Sequence, residues 1–156
     1  MTFEILVAFL TRLSLVLLFL PFSALDKVLN FEAATGQAGE ATSNRSLAKA
    51  LILVGLAVEV VMSLGVLTGI ADRLAAFVLA GYCAVTAILF KRFWRASDFR
   101  LRGPSKGRET MWDFLKNFAV AGGFLLIAFG TTAGDVRAFF ADPLSSTHPY
   151  STGAEP

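Results

Sequence analysis

Cysteine and histidine each occur only once in this 156-residue sequence, as Cys83 and His148. A single thiol excludes an internal disulfide and any CxxC or cysteine-rich metal motif, and its place in the middle of an apolar run marks Cys83 as a small packing residue. A single imidazole, set in a Pro/Ser/Thr-rich tail with no second ligand at metal spacing, supports no metal site. Charge is scarce as well: Asp, Glu, Lys and Arg make up 17% of the chain, against about a quarter in soluble domains. There is no Ser/His/Asp arrangement, phosphate loop or HExxH, so no catalytic residue is assigned. The net charge is +2, and its basic residues lie beside apolar runs, which implies a membrane surface and no nucleic acid.

What the chain has in abundance is apolar length: 55% of its residues are hydrophobic and the mean hydropathy is +0.64. The run at 47–70 is the organising stretch. About 24 residues at roughly 1.5 Å each cross a hydrocarbon layer of ~30 Å. One carboxylate, Glu59, sits at its middle. At that depth a carboxylate costs about 3 kcal/mol even on insertion-based scales, so it should face protein and find a partner. Gly55, Glu59 and Ser63 recur at a spacing of four, which puts two small residues and the acid on one helix face open to close approach. The alternative is a carboxylate kept for helix packing alone.

Three further runs complete the pattern. Residues 5–30 read as a first span, retained rather than cleaved, because Arg12 splits its apolar core and Phe22 stands where cleavage would need a small residue. Pro21 should bend it. Arg12, Ser23, Asp26 and Asn30 then form a polar stripe on an otherwise apolar helix. Residues 31–46 read as a polar loop, with Ser46 as a candidate cap for the second span. A very short turn through Gly69, Asp72 and Arg73 makes the second and third spans antiparallel neighbours.

The third span runs over 74–94, with Tyr82 and Thr86 on one face; the fourth runs over 110–130, with Gly122 and Gly123 permitting close packing. Between them, 91–109 carries seven Lys or Arg residues. Residues 131–156 lack periodicity and read as a tail, interfacial or bound to a partner, in which Val136, Phe139 and Phe140 form one amphipathic turn. The expected fold is thus all-α: an integral membrane four-helix bundle (1–130) with short loops and an extended C-terminal tail (131–156). Four spans put both termini on one side, with Arg12, Arg73 and Arg137, and leave the other eleven Lys and Arg on the opposite side. The positive-inside bias makes the basic loops cytoplasmic and both termini periplasmic, in a bacterial cell inner membrane.

Two constellations are candidates for function. Comparing depths along straight helices leaves Arg12 and Glu59 about 6 Å apart, within reach of an extended arginine side chain, so an intramembrane Arg12–Glu59 pair is expected. The alternative has Arg12 reaching the outer headgroups and Glu59 bonding Tyr82 or Thr86. The second constellation gathers Lys27, Trp94, Trp112, Asp113, Lys116 and Asn117 at the basic end of the spans, where aromatics beside hydrogen-bonding groups suit the head of a lipid-soluble ligand such as a quinone. An ordinary interfacial belt of Trp, Lys and Asn anchors would use the same residues.

The ordered motifs resemble the DoxX family of small four-span membrane proteins. They are Arg12, the segment from Phe22 to Lys27, Glu59, the turn Gly69-Ile70-Ala71-Asp72-Arg73, the stretch from Leu89 to Trp94, and Phe114-Leu115-Lys116-Asn117 followed by Gly122-Gly123. The likeness covers about 5–130. It implies a role in membrane redox, quinone-linked, as a subunit with no redox cofactor of its own, with quinone or lipid as the bound molecule. Lys91 stands where many relatives have histidine, which weakens proton transfer at that end. The alternative from another class is a purely structural or assembly subunit that docks to other membrane subunits of a larger complex through its spans and tail. Membrane lipid is a partner in either case.

Overall fold

The structure is a computed structural model that describes residues 2–39 and 42–152. Helix α1 (Phe3–Val16) starts at Thr2, whose hydroxyl accepts from the Ile5 amide. At Leu18–Ser23 the chain widens into a π-type segment in which Leu20 leaves helical geometry, next to Pro21, which has no N–H to give. The expected bend is therefore present. Helix α2 (Ala24–Leu29) completes the crossing, and the three pieces form one 27-residue span, Phe3–Leu29.

The polar stretch that follows is not all loop: Phe31–Ala38 forms helix α3. Gly36, Gly39 and Thr35 dilute the helical signal, but Glu32, Ala33, Ala34 and Ala38 are compatible with a helix, and burial of Thr35 and Ala38 beside α4 supplies the missing stabilisation. Glu32 pairs with Arg45 at 2.8 Å and Lys49 at 3.6 Å, and these cations hold its carboxyl below the ordinary range. The cap of helix α4 (Arg45–Thr68) is Asn44 rather than Ser46, its side-chain oxygen accepting from the amides of Ser46 and Leu47. Asn is as good a cap as Ser, and it stands one residue before the helix starts.

Gly69 ends α4 with φ 79°, and Ala71 at φ 47° starts helix α5 (Asp72–Phe90) almost at once, giving the expected antiparallel hairpin. A 3-10 turn, Phe93–Arg95, leads into the basic loop. Helix α6 (Lys106–Phe129) begins earlier than its apolar run suggests, because Ser105 caps it and Asp98 accepts from the Lys106 and Gly107 amides at 2.7 and 3.0 Å. Helix α7 (Ala133–Ala141) extends the expected single turn to nine residues, started by a reciprocal cap between Thr132 and Asp135. It buries Phe139 against Phe77 and Phe129, with Phe140 left exposed.

Four helices are long and apolar enough to cross a membrane: Phe3–Leu29, Arg45–Thr68, Asp72–Arg95 and Lys106–Phe129. No strand occurs among the described residues. α5 is the central element, packed against both α4 and α6, and the inward face that makes this possible is small: Ala75, Ala76, Ala80, Cys83 and Ala87. Val16, Phe19, Val66, Leu79 and Phe124 fill the space between. Outside, Leu53, Val54, Val61, Val85, Ile88 and Leu126 are each at least half exposed, a surface suited to acyl chains and not to water. The bundle has a basic end, carrying α3 and the 91–105 loop, and a tail end, carrying the hairpin turn and α7.

Candidate ligand cavity and a second buried ion pair

Glu59 is 1% exposed, and Gly55 and Ser63 on the same face are also buried. Its partner is Lys27. The ammonium lies 2.7 Å from Glu59 Oε1, and Ser23 Oγ donates to the same oxygen at 3.1 Å while accepting from Lys27 Nζ at 2.6 Å. Ser23 and Lys27 are one helical turn apart on the segment that follows the Pro21 bend, so both reach α4 from the same side. The other carboxylate oxygen, Oε2, is buried with no hydrogen-bond partner. So is Ser63 Oγ, one turn further along α4.

The expected Arg12–Glu59 pair therefore does not form. Arg12 turns toward the tail end, where its Nη2 lies 2.8 Å from Asp72 Oδ2 and its Nη1 donates to the Val66 carbonyl at 2.7 Å. Depths along straight helices leave the first span unbent and give Asp72 no inward-facing role. Instead the span bends at Pro21, and Asp72 is fully buried at the first position of α5. A guanidinium on a long stem takes the acid nearest its own end of the membrane. Thr147 completes this cluster: its amide and hydroxyl donate to the two Asp72 oxygens at 2.9 and 2.5 Å, and its hydroxyl accepts from Arg12 Nη2 at 2.6 Å. Nearby, Tyr150 donates to the Leu67 carbonyl, and Pro149 lies so close to Gly69 that a Cβ there would come within 2.8 Å of it. Residues 147–150 are thus held by their own bundle. Sequence gives Thr147 and Tyr150 no signal, whereas Asp72 stands in the Gly69–Arg73 turn that carries the family resemblance and directly ahead of an apolar run.

Lys27, Ser23 and Glu59 line a cavity of about 330 Å³. It extends to Gln37 of α3, Lys91 at the end of α5 and Asn117 of α6 at the basic end. Phe19 and Tyr82 form its aromatic wall, edge to face with centroids 6.2 Å apart, with Thr86 and Phe90 further along. Tyr82 fits there because Gly55 leaves room: a Cβ at Gly55 would lie 3.1 Å from the phenol oxygen.

Of the candidates named from sequence, Lys27 and Asn117 line this cavity, and Trp94, Trp112, Asp113 and Lys116 do not. Trp94 packs edge to face on Phe93 and Phe114, half exposed, and Trp112 is also half exposed, as interfacial anchors are. Asp113 pairs with Lys91 at 3.7 Å and Lys116 at 3.4 Å, and the Lys116 side chain is 73% exposed. On a helix, Lys116 and Asn117 point about 100° apart, so the turn that brings Asn117 to the cavity carries Lys116 off it. No group of three or more His, Cys, Asp or Glu able to hold a metal occurs among the described residues.

The family model for DoxX matches residues 7–92, a little over half of the sequence. The chain belongs to the DoxX family. The match takes in the first three spans, with Arg12, Ser23, Lys27, Glu59, Asp72 and Tyr82. Asn117 and Thr147 lie beyond the residues matched to DoxX, so this chain's cavity and its tail-end cluster are each completed by a later segment. No curated protein and no solved structure matches the chain.

Proposed function

We propose that this DoxX-family membrane protein holds the head of a lipid-soluble quinone in the cavity between Lys27, Glu59 and Asn117, and serves quinone-linked redox complexes as a subunit with no redox cofactor of its own. The observation that carries this reading is a cavity of about 330 Å³ with an ion pair and an aromatic wall among largely apolar helices. Ligand pockets typically start at about 300 Å³ and combine an apolar lining with a few placed polar groups. A planar ring fits against Phe19 and Tyr82, and its oxygens can accept from the Tyr82 hydroxyl and the Asn117 amide. An isoprenoid tail would leave into the surrounding lipid.

The setting we infer is a bacterial inner membrane. The basic end, with most of the Lys and Arg, faces the cytoplasm, and the Arg12–Asp72–Thr147 end faces the periplasm. The alternative role, an assembly subunit that docks through its tail, is disfavoured at residues 147–150, because they are already engaged by Arg12, Asp72 and Leu67.

The test is purification in mild detergent, extraction of bound quinone and identification of co-purifying proteins. Near-stoichiometric quinone that is lost in Asn117→Ala and kept in Lys116→Ala supports the reading. Wild-type protein that carries no quinone, takes up none when it is added and comes with a partner in fixed stoichiometry overturns it in favour of a structural subunit.

A further inference from the structure

We propose that this cavity reads the redox state of its ligand and takes the hydroquinone in preference to the quinone, with Glu59 Oε2 as the acceptor that tells them apart. The inference rests on the quinone reading above and goes beyond it. Glu59 presents two different oxygens. Oε1 is occupied by Lys27 at 2.7 Å and Ser23 at 3.1 Å, whereas Oε2 is buried and meets no donor. The side chain is 1% exposed and lines the cavity beside the Tyr82 phenol, so a ligand O–H entering that space can supply the bond Oε2 lacks.

A quinone carbonyl brings only lone pairs, which a carboxylate oxygen repels. A hydroquinone differs by two hydrogens and brings an O–H that a carboxylate accepts strongly. The remaining polar groups on the wall do not make this distinction. The Tyr82 hydroxyl and the Asn117 amide can each donate or accept, so they serve either form. The Lys27 and Lys91 ammonium groups can donate to a carbonyl or to a hydroxyl oxygen, so they too serve either form. A buried acceptor left unpaired by one of two otherwise similar ligands gives discrimination of about 10- to 100-fold.

The experiment is equilibrium binding of duroquinol and duroquinone to the full chain in nanodiscs under anaerobic conditions. The dimethyl ether of duroquinol serves as a third probe, having the reduced ring but no donor. For the wild type we expect duroquinol to bind about 10- to 100-fold more tightly than duroquinone, with the ether as weak as the quinone. In Glu59→Gln, whose amide can donate, the preference should fall to within about three-fold or reverse. If the ether binds as tightly as duroquinol, ring shape decides and the role of Glu59 is refuted. Equal binding of quinol and quinone, or tighter quinone, overturns the redox preference while leaving a quinone site standing. Binding of none of the three overturns the quinone reading and this inference together.

Discussion

Arg12 Nη2 lies 2.8 Å from Asp72 Oδ2, with the two side chains 9% and 0% exposed, and Thr147 binds both of them. This pair joins the first span to the start of the third and takes the tail as its third member. Lys27 and Glu59 form a separate ion pair on the other side of the Pro21 bend, and that one opens onto a cavity. The buried charges of the bundle therefore divide by surroundings: one pair closed off by protein, the other facing space that a ligand can enter.

Arg12→Gln and Asp72→Asn should each destabilise the protein in detergent by about 3–5 kcal/mol, because the partner is left charged and buried. The double variant should lose clearly less than the sum. Arg12→Gln combined with Glu59→Gln should be additive, since those groups belong to different pairs. A double-mutant cycle on thermal or denaturant unfolding measures both couplings.

The tail end should weaken through Thr147. Thr147→Val keeps the shape but removes the hydroxyl between Asp72 and Arg12, and an expected cost of about 1–3 kcal/mol follows from leaving buried groups unpaired. Tail cleavage by added protease should accelerate in parallel. Ser145→Ala, at a hydroxyl that bonds only the Asp142 carbonyl, should stay within about 0.5 kcal/mol of wild type.

Much of this architecture is written in the sequence, and the parts that are not have identifiable reasons. Four apolar runs and the Gly55-Glu59-Ser63 spacing announce the spans and the buried acid, because lipid imposes length and inward-facing polarity on any helix that crosses it. Pairing is another matter. Lys27 and Arg12 have long, flexible stems, and the Pro21 bend decides which acid each one reaches, so straight-helix depths choose wrongly. Helix α3 is hidden because its stability comes from packing on α4 more than from its own residues. The Thr147–Tyr150 contacts leave no pattern at all, since they join side chains and carbonyls more than 75 residues apart in the chain, or at that separation in the case of Asp72.

At the Lys27–Glu59 pair, Lys27→Met should cost several kcal/mol by stranding the carboxylate. Lys27→Met with Glu59→Leu should recover most of that stability, because an apolar pair of similar volume suits the bundle, while quinone retention is lost. Stability and ligand content measured on the same preparations separate a structural role from a binding one.

Helix α7 supplies a pH-dependent element outside the spans. Hydrogen bonds from Thr132, side chain first and backbone second, hold the Asp135 carboxyl below its ordinary value of 3.8. A depressed carboxyl stabilises the folded form above its unfolded pKa, and that contribution disappears as the pH falls through the lower, folded value. Amide protection in Ala133–Ala141, measured relative to the intrinsic exchange rate at each pH, should therefore fall in acid below the ordinary carboxylate range. Asp135→Ala should exchange faster at neutral pH and lose this acid dependence.

On the function proposed above, a quinone head occupies the space bounded by Phe19, Glu59, Tyr82 and Asn117. A photoactivatable azidoquinone applied to native membranes tests it most directly, with the labelled peptides mapped by mass spectrometry and excess unlabelled quinone added as competitor. We expect competed label on segments 18–27 and 82–91, which together line most of that cavity. Label confined to the lipid-facing residues, or unaffected by the competitor, would contradict it.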